Sequence, residues 1–208
     1  ESLALRNAAI ITAVGGLTIG YEKWVADSMP DRPSSGMRRI SNGIAGLGDG
    51  AYDGAFIAAS YAAGALAGDK KLSRTAVLAG ESFLMANAAD TVLKSAAGRS
   101  RPYTGRSNLS FRLFSFKDHN TSFPSGHTIS AFSVASVFAS RYDSGAVPAV
   151  AYSLASLVAA QRVYARKHWL SDVALGALIG TCAGKLVVKW EAGKKKDSVW
   201  LLPEKKKK

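Results

Sequence analysis

Hydrophobic residues recur along most of this chain at the three- and four-residue spacing of a helix, and nowhere in a convincing two-residue alternation. The pattern predicts about six helices, over approximately 3–27, 42–68, 71–93, 126–141, 147–164 and 169–190, and an all-α fold. Two polar stretches interrupt it. Residues 28–40 (SMPDRPSSGMRRI) read as a Pro/Gly/Ser connection. Residues 95–124 form an irregular stretch of the length that, in a compact domain, usually carries function. No long internal repeat and no linker divides the chain. The expected organisation is a single-domain helical bundle over 1–190 and a basic tail over 191–208.

Three apolar runs invite comparison with a bilayer. Residues 7–21 and 54–68 are uncharged for 15 residues each, and residues 144–161 for 18. A membrane span needs about 20 predominantly apolar residues. These runs are shorter, Ser, Gly and Ala dilute them, and the mean hydropathy of the chain is only +0.05. We therefore read them as buried helices of a soluble bundle ahead of membrane spans. Gly176, Gly180 and Gly184 fall at every fourth position, as do Gly64 and Gly68. Such stripes let helix backbones approach closely, in membranes and in tight soluble packing alike. Cys182, the only cysteine, lies in one of these small-residue runs, where a buried inert thiol is expected.

Charge narrows the partners. The 27 Lys and Arg outnumber 15 Asp and Glu, for a net charge of +12. Such a surface attracts phosphorylated molecules, nucleic acid or acidic lipid. Nucleic acid is set aside, because no aromatic stacking platform is interleaved with the basic residues. Part of the excess is local: eight lysines lie from Lys189 onward. The plain reading of that tail is a solvated end. The sharper one is adhesion to an anionic membrane surface, with Trp200, Leu201 and Leu202 as a shallow anchor. Three scattered histidines do not suggest a metal site. The chain opens at Glu1, which suits either a removed export signal or a trimmed sequence.

Three clusters carry chemistry. In KSAAGRSRP, Lys94 and Arg101 supply cations, and Pro102 follows; Arg99 reads as a solvated loop residue. In PSGH, Pro124 and Ser125 precede a helix on whose first turn Gly126 and His127 sit. Orphan N–H groups and partial positive charge at a helix start suit an oxyanion, and Gly126 leaves them open. His127 then borders the anion and can give a proton to a leaving oxygen. In RVYARKHWLSD, Arg162 precedes His168 and Asp172. Four residues apart on a helix, His168 and Asp172 would share a face. The carboxylate could then hold Nδ1–H and leave Nε2 as nucleophile or base. In isolation each cluster also has an ordinary reading: a capping turn, a helix ion pair, solvated cations. Together they make a complete phosphoryl-transfer site without a metal.

The three clusters resemble the signature of the type 2 phosphatidic acid phosphatase superfamily, which includes lipid phosphate phosphatases, bacterial class A acid phosphatases and vanadium haloperoxidases. Its pattern is K-x6-RP, PSGH and SR-x5-H-x3-D, matched here over about residues 80–185. Gln161 stands where the third motif usually has Ser. The resemblance implies a helical bundle with the active site at one end. His168 would be the nucleophile forming a phosphohistidine, Asp172 its orienting partner and His127 the general acid. Lys94, Arg101, Ser125, Gly126 and Arg162 would bind the phosphate. No cofactor is implied, and vanadate should inhibit from the same pocket. The expected function is hydrolysis of lipid phosphates or diphosphates (phosphatidate, phosphatidylglycerophosphate or prenyl diphosphate) in the periplasm or at a membrane face. A broad soluble acid phosphatase is the alternative, and a vanadium haloperoxidase ranks behind it. Arg166 and Lys167, ahead of His168, read as exposed loop cations or as a lure for a strongly anionic substrate.

Overall fold

A computed structural model describes residues 21–31 and 33–200, with the backbone alone for 194–200. A helical segment over 21–27 comes first. Then follow α1 (Ser35–Gly46), α2 (Gly50–Ala67), α3 (Lys70–Ala97), α4 (Gly126–Arg141), α5 (Ala146–Tyr164) and α6 (Leu170–Trp200). Among the described residues there is no strand, only an isolated bridge between Arg99 and Phe111. The all-α architecture matches the helical periodicity. Of the first expected helix, only residues 21–27 lie among the described residues.

Several boundaries differ from the expectation, each for a local reason. The expected helix over 42–68 is two helices. A side chain at Gly48 would lie 2.5 Å from Val158 Cγ1 and 2.7 Å from the His127 carbonyl oxygen. The chain therefore presses bare backbone against the start of α4, and Asp49 then caps α2 by accepting from the Ala51 amide at 3.0 Å. The connection over 28–40 is shorter than expected, because Ser34 caps α1 by accepting from the Met37 amide. Helix α3 continues to Ala97 and stops at Gly98, whose φ of 61° is left-handed. Helix α6 runs on to Trp200, through residues expected to belong to the tail. Leu201 and Leu202 of the suggested tail anchor lie outside the described residues, and so does the side chain of Trp200.

Helix α4 is the centre of the bundle, packed against α3, α5 and α6. Its core contacts include Val134 and Val137 against Leu78, Ala79 and Val187. The glycine stripe on α6 works as anticipated. At Gly180 an added Cβ would lie 2.5 Å from the Ile129 carbonyl oxygen, and at Gly184 it would lie 2.8 Å from Ser136. Buried hydroxyls fill this seam: Ser136 Oγ donates to the Thr181 carbonyl at 3.0 Å and Ser133 Oγ to Ser130 at 2.8 Å.

The outside of the bundle is more apolar than the soluble reading expects. Ala146–Tyr164 and Leu170–Gly193 are long and apolar enough to cross a membrane, yet only 33% and 39% of their most apolar windows are buried. Leu154, Leu157, Leu178 and Leu186 on these helices are exposed, as are Leu66 on α2 and Leu84 on α3. The runs over 54–68 and 144–161 therefore face outward as well as inward, and residues 7–20 of the first run lie outside the described residues. Cys182 is exposed on the same outer surface, not buried.

Gly180→Ala is expected to lower the thermal midpoint by the equivalent of about 1–3 kcal/mol, the usual cost of overpacking. Gly54→Ala, with nothing within 4 Å of the added methyl, should be neutral or stabilising. Equal midpoints for both variants would contradict the close α4–α6 seam.

Candidate active site

The residues singled out in the sequence gather where the α3–α4 segment, the start of α4, the end of α5 and the start of α6 meet. Lys94 lies in the last turn of α3, where its Nζ is 2.7 Å from Asp90 Oδ2. A Cβ on Gly126 would sit 3.0 Å from that same Nζ, so the lysine reaches the first turn of α4. Arg101 precedes a 3-10 turn, Pro102–Thr104, and its Nη2 bonds Thr121 Oγ1 and Asp118 Oδ1 at 3.0 Å. Arg162, in the last turn of α5, is buried. Gln161 beside it donates to Ser41 on α1 at 2.9 Å and accepts from Arg162 Nη1 at 3.5 Å. The glutamine at the usual serine position thus steadies the arginine and ties α5 to α1.

Both Arg101 and Arg162 keep a buried Nε–H without an acceptor. Buried donors are rarely left so, and an oxyanion would satisfy them. Helix α4 adds to this, since no side chain caps its first turn. Ser125 stands at the N-cap position but its side chain makes no capping hydrogen bond. Its amide donates to the Asp172 carbonyl at 3.1 Å, and its hydroxyl pairs with Thr128 Oγ1 at 2.9 Å. The residue is fully buried and fixes the α4 start to α6. The donors left at that turn are the amides of Gly126, His127 and Thr128.

The His168–Asp172 geometry also differs from the helical-face expectation. Helix α6 begins at Leu170, so His168 lies ahead of it and the two residues are not on one helix. Asp172, in the first turn, reaches back instead: Oδ2 accepts from the Trp169 amide at 2.8 Å and from Ser122 Oγ at 2.5 Å. His168 Nδ1 is 4.0 Å from Asp172 but 2.6 Å from the Ser122 carbonyl oxygen. A carbonyl only accepts, so Nδ1 carries the proton and Nε2 carries the lone pair. The tautomer foreseen from sequence is present, with Ser122 as its anchor and Asp172 acting through Ser122.

Arg99 is the largest departure. It is 2% exposed, not solvated. Its guanidinium bonds Asp172 Oδ1 at 2.5 Å, Ser171 Oγ at 2.7 Å and the Asn108 carbonyl at 2.8 Å, and pairs with Glu22 of the first helical segment. Glu22, itself 1% exposed, also accepts from Ser171 Oγ. The buried chain therefore runs Glu22–Arg99–Asp172–Ser122–His168. No spacing signal in the sequence links Glu22 to the rest, whereas Arg99 stood inside a recognised cluster. Arg166 pairs with Asp31, and Lys167 Nζ lies 4.9 Å above the Tyr103 ring, so neither is a free loop cation.

Burial and neighbouring cations push both imidazoles toward the neutral form. Burial, and then the positive charge of Arg162 and Arg101, holds His168 well below the ordinary imidazole value. Burial, and then Arg162, pushes His127 down to about 4. Each ring thus sits in the field of the same cations. Among the described residues, no three His, Cys, Asp or Glu side chains cluster as metal ligands would.

Comparison with known proteins bears on this arrangement. The model of the PAP2 superfamily matches residues 75–196. Over 67 residues the chain is 39% identical to the lipid A 1-phosphatase of Porphyromonas gingivalis, a stretch that is 31% of this chain and only 15% of that protein. Two crystal structures share the fold, each with a TM-score of 0.64 at 23% identity. LpxE of Aquifex aeolicus aligns over 83% of this chain and 95% of its own. The first transmembrane PAP2 type phosphatidylglycerolphosphate phosphatase from Bacillus subtilis aligns over 91% and 92%. Glu22 falls outside the residues that match the family.

Arg99→Gln strands two buried carboxylates. Such a break costs about 3–5 kcal/mol, so a large fall in thermal midpoint is expected, against little change for Arg106→Gln in the same segment. Comparable midpoints for the two would mean that Arg99 is not the hub of this site.

Proposed function

This chain belongs to the PAP2 superfamily, and on that premise we propose that it is a metal-independent phosphatase acting on lipid phosphates or diphosphates through a phosphohistidine. The observation that carries the reading is the buried His168 ring, its Nδ1 held 2.6 Å from the Ser122 carbonyl oxygen in the field of Arg162, Arg101 and Lys94.

In the first step Nε2 of His168 attacks phosphorus, a P–N bond forms and the P–O bond to the leaving group breaks. Protonated His127 gives its proton to that oxygen. In the second step water gives a proton to His127 as its oxygen attacks phosphorus, and the P–N bond breaks to free His168 and phosphate. The charge on the equatorial oxygens is met by the three cations and the open amides at the start of α4. A dianion among these groups also offsets the field that depresses His127, so substrate itself raises the imidazole into a range where it can act as an acid.

The lipid part rests on apolar surface. A cavity of about 500 Å³ lies between α2, α4 and α5, lined by Leu47, Phe56, Val134, Phe138, Val150 and Leu154. That is within the usual volume of a ligand site, about 300–1,000 Å³. On α4 it begins at Ala131, about one helical turn from His127. A chain hanging from a phosphate at His127 would run down it. With the outward apolar residues of α5 and α6, this favours a protein that spans a bilayer and works at its surface.

Turnover should vanish in His168→Ala. His127→Ala should still trap phosphoenzyme from p-nitrophenyl phosphate, whose leaving group needs no proton. Wild-type turnover by His168→Ala ends the mechanism. For substrate class, Ala135→Trp fills the cavity. It should raise KM severalfold for long-chain phosphatidate and leave p-nitrophenyl phosphate unaffected; equal effects on both remove the lipid assignment.

The pH profile follows from the same charges. A group that must be protonated gives the alkaline limb. That limb in kcat/KM reports the free enzyme, with His127 near 4, and in kcat it reports the substrate complex. Allowing for ionisation of the substrate, the limb should therefore stand at higher pH in kcat than in kcat/KM. Coincident limbs would show that substrate does not raise His127.

A further inference from the structure

The segment between α3 and α4 displays more apolar surface than its packing uses. Residues 109–117 read LSFRLFSFK. Leu113, Phe114 and Phe116 are 69%, 72% and 78% exposed, and Leu109 is exposed beside them. Interleaved with them are Arg112 and Lys117, also exposed. In water this arrangement leaves several large side chains unburied within nine residues, a concentration that usually marks a binding surface.

The segment is also held firmly. Its backbone is laid against the end of α3: the Arg112 amide donates to the Gly98 carbonyl at 2.9 Å and the Phe114 amide to Ala96 at 3.4 Å. The Arg112 carbonyl oxygen stands 1.7 Å from where a Cβ on Gly98 would be, so only glycine permits the contact. Phe114 has a φ of 56°, a conformation uncommon for a bulky residue and retained only when the surroundings impose it. The outward set of apolar rings is thus a built feature of the segment. It adjoins Val92 and Leu93, exposed on the last turns of α3.

We propose that residues 109–117 form an interfacial anchor at the catalytic end of the bundle. Leu109, Leu113, Phe114 and Phe116 would enter the boundary between headgroups and acyl chains of an anionic bilayer, and Arg112 and Lys117 would meet lipid phosphates. Aromatic and aliphatic side chains flanked by cations have the composition of such an element, and the positive charge of the chain matches the surface. The exposed apolar residues of α3 make the anchor continuous with the outer surface of the bundle. Arg101 and Ser122 belong to the same connection. Seating the anchor would therefore fix the catalytic groups at headgroup depth, where a phosphorylated lipid presents its phosphate. The inference rests on the membrane half of the reading above and not on the phosphoryl chemistry.

The test uses the full chain in a Cys182→Ser background, reconstituted in vesicles of phosphatidylcholine and phosphatidylglycerol. Nitroxide labels at Phe116→Cys and, separately, Leu113→Cys are read for collision with oxygen and with a water-soluble nickel chelate, with Leu154→Cys on α5 as reference. The expected result is an oxygen-to-nickel ratio severalfold above that of a label at Gly36→Cys on α1, and a fall in that ratio when Arg112→Gln and Lys117→Gln are added. Labels at 113 and 116 that are as open to nickel as the one at 36, while 154 is shielded, overturn the anchor alone. A label that is immobilised yet open to nickel indicates a protein contact and also overturns it. Nickel access at 154 as well overturns the membrane reading itself. None of these outcomes depends on phosphatase activity.

Discussion

Burying a guanidinium between two carboxylates is the constraint on which the site depends. Arg99 meets Glu22 and Asp172 with all three groups almost fully removed from solvent. Ions so placed lose their hydration and are tolerated only when every partner is present. That condition fixes three separate pieces of chain at once: the first helical segment, the connection after α3 and the start of α6. Asp172 then has one oxygen for Arg99 and the other for Ser122 and the Trp169 amide, and Ser122 is left to present its carbonyl to His168. The imidazole inherits its tautomer from an ion pair that it does not touch.

Around that fixed point the charges oppose one another productively. Burial first, and then the cations that would hold a phosphate, push both imidazoles below the ordinary value. In the proposed mechanism a neutral His168 suits the nucleophile, whereas a neutral His127 would be a poor acid. The difficulty resolves if the substrate brings the missing negative charge. Such a site is biased toward substrates with a full dianionic group. Unfilled donors on Arg101 and Arg162 point the same way.

The polar end sits on a bundle whose exterior is unusually apolar. Close α4–α6 packing relies on glycine and on buried serine hydroxyls that bond backbone carbonyls, not on a large aliphatic core. Larger side chains such as Leu154, Leu178 and Leu186 are turned outward. In water the outward placement of those leucines would contribute nothing to the hydrophobic driving force. In a bilayer it costs nothing, because lipid is as apolar as leucine and small residues supply the helix contacts.

How much of this was written in the sequence differs by kind of feature. Helical periodicity marked α4 and α5 nearly to their ends and the starts of α3 and α6, but α6 runs on to Trp200, well past the end expected at 190. The spacing of the three clusters brought Lys94, Arg101, His127, Arg162 and His168 into one list, because residue type and order along the chain carry that information. The break at 47–49 was not visible: Gly48 is bare because of Val158 and His127, residues far away in the chain. Apolar runs were judged by length and dilution, but which way their side chains face depends on neighbours. Arg99 looked solvated because its acids lie 77 and 73 positions away. The sequence by itself determined the helical class and the set of residues that gather at one end of the bundle. Only the tertiary structure decided what His168 Nδ1 bonds, whether the Ser125 side chain is buried, and which apolar side chains face outward. Those outcomes turn on burial and direction, which are properties of packed neighbours and not of any residue's place in the chain.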